Sequence, residues 1–324
     1  MVTDIENLAH SIRAGNRRAL AKAITLVEST RQEHRTAAIE LLRQLSGDAG
    51  DAMRIGISGT PGVGKSTFIE TFGVHLVDQA RRVAVLSIDP SSAISGGSIL
   101  GDKTRMERLA VRREAFIRPS PSSGTLGGVA RRTREAMLLC EAFGFDVVVI
   151  ETVGVGQSET AVADMTDFFL LLVPPGGGDD LQGIKRGVME LADLVAINKA
   201  DGDLLPAARR AASDYRLAMG LHHPRSKNWT PQVELCSALT NVGVAEIWER
   251  ICQFQAVTTA SGELQQRRQE QAKKWLWSEL AGNLLAALKK NPEVQRALPQ
   301  MEADVSAGRL PAAAAAQALL GKFL

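Results

Sequence analysis

Aromatic side chains are scarce in this chain. Nine Phe, four Trp and a single Tyr make up 4% of 324 residues, so the expected core is one of Leu, Val, Ile and Ala. Charge of one sign is also lacking: 38 Lys and Arg stand against 36 Asp and Glu, a formal net charge of +2. That near-balance excludes nucleic-acid or membrane-surface binding driven by bulk electrostatics. No run approaches the ~18 apolar residues of a membrane span, and the strongest, 168–175, is strand-sized. The opening MVTDIENLAH carries two acids and no apolar run, so no secretory signal is expected and a cytoplasmic enzyme is. Cys140, Cys236 and Cys252 are odd in number, widely spaced and form no CxxC pair, which reads as three reduced, buried thiols.

What is present is ordinary globular composition, 45% hydrophobic and 23% charged, well away from disordered chains. Residues 1–50 carry three helical stripes: Ile5, Leu8 and Ile12; Leu20, Ile24 and Val27; Ile39 and Leu42. From Arg54 short apolar runs at 55–58, 83–88, 147–150, 168–173, 194–197 and 233–235 alternate with helix-length segments. The pattern predicts an α/β fold, a mainly parallel sheet with helices on both faces. After Val242 the chain reads as helical again, with one long helix over 261–290 and an Ala-rich end beyond Pro311. The expected organisation is a helical N-terminal extension (1–50), a nucleotide-binding domain (51–258) and a C-terminal helical arm (259–324). The arm either packs on the main domain or dimerises.

The segment Gly59-Thr60-Pro61-Gly62-Val63-Gly64-Lys65-Ser66 matches GxxxxGK[ST] between an expected strand and a helix starting near Thr67. Its glycines let successive N–H groups curl around a β-phosphate at a helix N-terminus. Lys65 then reaches the β- and γ-phosphates, and Ser66 offers a hydroxyl to Mg²⁺. The fold is therefore that of a P-loop NTPase.

Asn198-Lys199-Ala200-Asp201 follows another strand and selects the base. The Asp201 carboxylate accepts both the ring N–H and the exocyclic amine of guanine, a donor pair that adenine lacks. Downstream, Ser237-Ala238-Leu239 offers a backbone N–H to the guanine carbonyl oxygen. The run 147–150 ends in Glu151-Thr152-Val153-Gly154, where Glu151 suits the Mg²⁺ shell and Gly154 a close approach to the γ-phosphate. Val155 follows, so the glutamine of Ras-type catalysis is missing and slow intrinsic hydrolysis is expected. Gln157 is either a substitute or a plain loop residue. Asp89 and Asp102 either approach Mg²⁺ and the attacking water or cap a helix or turn, and Lys103 and Arg105 read as solvated charges. Asp179, Asp180 and Lys185, taken alone, lie in a polar stretch leading into a solvated helix.

Together Gly59 to Ser66, IDPSS at 88–92, GGSILGDKTRM at 96–106, ETVGVGQSE at 151–159, GDDLQGIK at 178–185 and NKAD resemble the MeaB/MMAA (ArgK-type) P-loop GTPases, chaperones of adenosylcobalamin-dependent methylmalonyl-CoA mutase. The resemblance implies a homodimeric, Mg²⁺-dependent GTPase that binds GTP and GDP, gates cofactor loading into the mutase and protects it. It implies that Ser66, Asp89, Asp102 and Glu151 occupy Mg²⁺ and switch positions. It also implies that Asp179, Gln182 and Lys185 form a third switch that signals to the mutase.

Two other classes compete. A nickel-type metallochaperone GTPase needs clustered Cys and His, and the one adjacent pair is His222-His223. A transport-linked ATPase or kinase is opposed by NKAD and by the absence of HRD and DFG segments.

Overall fold

The computed structural model describes residues 4–48, 50, 52–89, 106–121, 126–152, 158–176, 186–221 and 224–323, with backbone alone at 88, 89, 120, 121, 126–128, 158 and 186. Three helices come first: α1 (Ile5–Arg13), α2 (Arg17–Glu28) and α3 (Gln32–Leu45). Asp4 and Asn16 cap the first two by accepting N–H groups of the opening turn. Then follow β1 (Met53–Gly59), α4 (Lys65–Asp78), β2 (Val83–Asp89), α5 (Glu107–Ala110), β3 (Ala115–Pro121), α6 (Leu126–Ala142) and β4 (Val147–Thr152). The sheet is completed by α7 (Ser158–Ala163), β5 (Phe168–Val173), α8 (Arg186–Met189), β6 (Leu194–Ile197), α9 (Leu205–Gly220) and β7 (Gln232–Leu235). The remaining helices are α10 (Val244–Ala260), α11 (Glu263–Lys290), α12 (Pro292–Ser306) and α13 (Ala312–Phe323).

Among the described residues seven strands lie in the order β3-β2-β4-β1-β5-β6-β7, and each pairing of these strands is parallel. β1, β4, β5 and β6 are buried along their whole length, as strands covered on both faces must be; β4, β5 and β6 are largely apolar, whereas β1 buries Arg54 and Ser58 among its apolar residues. The sequence reading missed β3. Its AFIRPSP holds two prolines, which argue against a central strand and suit an edge, where the missing N–H groups cost no ladder bond. Arg17 covers that edge by donating to the carbonyls of Arg113 and Ala115, blunting it against pairing with another chain.

The core departs from the aliphatic expectation in its aromatic clusters. Phe68 stacks on Phe72 at 5.6 Å, and Phe72 meets Trp248 edge-on at 6.0 Å. Phe254 in turn takes Phe168 and Trp229 edge-on at 5.0 and 5.6 Å. Six aromatics thus gather where α4 and α10 pack, and each geometry suits the ring quadrupoles; a second cluster joins Phe116, Phe143 and Phe145. In α3 the buried stripe is Ala38, Leu41 and Leu45, not Ile39 and Leu42. Ile39 is exposed.

The chain divides into two compact units, Met1–Arg268 and Gln269–Leu324. The N-terminal helices therefore belong to the unit that holds the sheet, whereas the sequence reading set them apart as 1–50 and started the arm at 259. Charged groups close the amino-terminal edge of the sheet. Arg268 donates to both oxygens of the buried Asp167, at 2.8 and 2.5 Å, and to Ala52 O at 2.7 Å. Arg54 donates to Glu141 at 2.5 and 3.0 Å. In the second unit, α12 and α13 bury Val294 and Ala315.

All three cysteines are free, with Cys140 and Cys236 buried and Cys252 half-buried, a correction to three buried thiols. Burial pushes the Cys140 thiol up and raises that of Cys236 to about 12. A thiol reagent added to native protein should therefore modify Cys252 alone, and denaturant should release the other two. Arg54→Ala strands Glu141, whose side chain is 1% exposed against 7% for Arg54. It should cost about 3–5 kcal/mol in a urea unfolding titration.

Candidate nucleotide site

The site assembles at the carboxyl ends of β1, β4, β6 and β7, where an open parallel sheet presents its crevice. β1 ends at Gly59, which lies against β5: a Cβ there would sit 2.4 Å from Leu172 O. No larger residue fits. The chain then turns through Gly62 and Gly64, at φ +79° and +95°, which glycine adopts without strain. Gly64 is the residue before α4, so Lys65, Ser66 and Thr67 form its first turn. Their N–H groups are among the four that an α-helix leaves unbonded.

Lys65 is buried and donates to Gly59 O at 2.8 Å and Thr60 O at 3.3 Å. It lies across its own loop, a position that anionic oxygens would compete for. Burial pushes its ammonium below the ordinary lysine range, against the opposing pull of Glu151 and Glu159. Glu151, at the end of β4, is buried and accepts from Ser66 Oγ at 3.3 Å and from Ser87 Oγ at 3.2 Å. Sequence reasoning missed Ser87, whose only signal is a hydroxyl in an otherwise apolar strand. Next to Glu151, Thr152 donates to Ser58 at 2.9 Å. A hydroxyl and a carboxylate in contact are the hard oxygen donors that suit Mg²⁺. Among the described residues no group of three or more His, Cys, Asp or Glu is placed to hold a metal.

The NKAD segment joins this loop directly. Asn198, fully buried, donates from Nδ2 to Val63 O at 2.8 Å. Its Oδ1 accepts from Ala238 N at 3.1 Å and from Cys236 Sγ at 3.7 Å. Lys199 holds φ +60° and donates to Gly62 O at 2.7 Å, so its stem runs beside the loop. Asp201 precedes a 3₁₀ turn, Gly202–Leu204, without its side chain capping that turn. Ser237 N–H is committed to Val242 O at 2.8 Å. Leu239 is 82% exposed.

Asp89 is the last residue of β2, opposite Pro121. Asp102, Gly154, Gln157, Asp179, Gln182, Lys185, Lys103, Arg105 and the His222-His223 pair lie outside the described residues. The structure thus brings together Gly59 to Thr67, Glu151, Asn198, Lys199 and Ser237 to Leu239.

Residues 20–293 match the family model for the methylmalonyl Co-A mutase-associated GTPase MeaB. The chain belongs to the MeaB family. It is 51% identical to the GTPase ArgK of Escherichia coli, over 89% of this chain and 88% of that protein. It is 49% identical to the mitochondrial methylmalonic aciduria type A homolog of Mus musculus, over 98% of this chain and 79% of that one. The crystal structure of a protein described as a LAO/AO transport system kinase matches with a TM-score of 0.79 at 40% identity, covering 99% of this chain and 98% of that. A MeaB-family chain with this loop and this NKAD is a GTPase that binds GTP and GDP. Among the described residues no helix is long and apolar enough to cross a membrane.

Asp201→Asn should relax the preference for GDP over XDP by about tenfold or more, read by competition against a fluorescent GTP analogue. Lys65→Ala should remove GTP hydrolysis while leaving the melting temperature near that of the unaltered protein.

Proposed function

We propose that this GTPase serves as the chaperone of an adenosylcobalamin-dependent acyl-CoA mutase of the methylmalonyl-CoA type, gating cofactor loading and protecting the loaded enzyme. The match of 20–293 to a family described as mutase-associated carries the reading. In hydrolysis, water attacks the γ-phosphorus in line, the bond to the β–γ bridging oxygen breaks, and GDP leaves with that electron pair. Lys65 moves from its own loop carbonyls to the phosphate oxygens, and the amides of 62–66 hold the β-phosphate. Ser66 and Glu151, with Asp89 and Asp102, are the residues we assign to Mg²⁺. There these oxygen donors would hold the ion, which would supply positive charge against the phosphate oxygens. Gly154 is assigned to the γ-phosphate, and Asp179, Gln182 and Lys185 to a switch read by the mutase.

The residue directly after Gly154 is Val155 and not glutamine, so basal hydrolysis is slow and the mutase completes the site. We assign the arm to homodimer formation. Its helix α11 leaves Leu276, Trp277, Leu280, Leu284 and Leu285 exposed, an apolar stripe of the kind that marks an interface. Three unpaired thiols suit a reducing compartment, and we place the protein in the cytoplasm. The transport-linked kinase reading has less support, because the NKAD segment at 198–201 is the pattern we assign to guanine.

The test is GTP turnover with and without a cobalamin-dependent acyl-CoA mutase. Acceleration of about tenfold or more is expected, and equal rates would overturn the reading. Lys185→Ala should keep basal turnover and lose the acceleration.

A further inference from the structure

Thr71 lies in the middle of α4, buried, and its hydroxyl behaves unlike those of four other helical threonines. Thr25, Thr36, Thr133 and Thr258 each donate to the carbonyl four residues earlier in their own helix, the ordinary local solution for a helical hydroxyl. Thr71 donates instead to Ala238 O at 2.8 Å, across 167 residues of sequence. Ala238 is therefore gripped at both ends, its N–H by Asn198 Oδ1 at 3.1 Å and its carbonyl by Thr71.

The consequence falls on the next residue. The Ala238 carbonyl and the Leu239 N–H belong to one peptide unit, and no peptide in the described chain is cis. In a trans unit the two groups point in opposite directions. A carbonyl drawn inward to α4 turns the Leu239 N–H outward, on a residue that is 82% exposed. The Ser237 and Ala238 N–H groups are already engaged, and among the described residues no acceptor stands at the Leu239 N–H.

We propose that Thr71 is a positioning residue for base specificity: through the Ala238 carbonyl it aims the Leu239 N–H at the 6-oxo group of the bound purine. This rests on the guanine reading of the site and goes beyond it. Asp201 reads the N1–H and 2-amino edge, whereas Thr71 governs the 6-oxo edge from inside the phosphate-binding helix. Substitution in that helix should then alter which base is preferred.

The experiment compares GDP with 2-aminopurine riboside diphosphate, which keeps the 2-amino group and lacks both the 6-oxygen and the N1–H; the N1–H loss at Asp201 is common to every variant, so only the change in preference between variants reads the 6-oxo edge. Affinities are measured for the full chain and for Thr71→Ser, Thr71→Cys and Thr71→Val. The unaltered chain and Thr71→Ser should prefer GDP strongly. Thr71→Val should lower that preference by about five- to tenfold, the worth of one hydrogen bond, with the affinity for the 2-aminopurine nucleotide unchanged. Thr71→Cys, with a weaker donor, should fall between, so the Ser-to-Cys step reads the effect even where Thr71→Val does not fold. Equal weakening of both nucleotides, or a preference that ignores the Ser, Cys, Val order, would overturn the proposal. A native chain that binds ADP as well as GDP would instead overturn the guanine reading on which it stands.

Discussion

The nucleotide site depends on one buried carboxamide. Asn198 is fully enclosed, and its single planar amide joins three stretches of chain: the phosphate loop at Val63, the end of β6 that carries it, and the turn after β7 at Ala238 and Cys236. A buried amide left without partners costs more than its bonds contribute when made. Within that enclosure, slippage of any one stretch therefore penalises the other two. The glycine-rich loop and the turn after β7 are thus tied to each other through Asn198.

The sheet supplies this object with strand ends at fixed separations. β1 runs between β4 and β5, so the loop leaving it has Glu151 on one side and the Leu172 carbonyl on the other. The closeness of that carbonyl fixes the first residue of the cradle as glycine. At the opposite edge of the sheet, Asp167 and Arg268 bind the start of α11 to the beginning of β5. Chemistry and attachment thus occupy opposite ends of the same strands.

Much of this was legible in the sequence because the relevant signals are local. Gly59 to Ser66 and Asn198 to Asp201 are contiguous segments whose residue types answer to chemistry, and six strands announced themselves as short apolar runs. β3 stayed hidden because Pro119 and Pro121 argue against a strand unless its place at the edge is known, which is a fact about neighbours. Ile39 misled because periodicity identifies a face of a helix without saying which face is covered. Thr71 and Ser87 were invisible for a related reason. A hydroxyl declares its partner only when the fold brings Ala238 or Glu151 beside it.

The hydroxyl bridge between Thr71 and Ala238 also bears on how the molecule comes into being. It joins points 167 residues apart, and every strand pairing here is parallel, so no two neighbouring strands meet through a tight hairpin. A ribosome that has released the glycine-rich loop must still extend the chain past Ala238 before the base can be read. On the role proposed for that turn, a nascent chain that has not yet reached Ala238 would lack the 6-oxo contact, whatever the state of its phosphate loop.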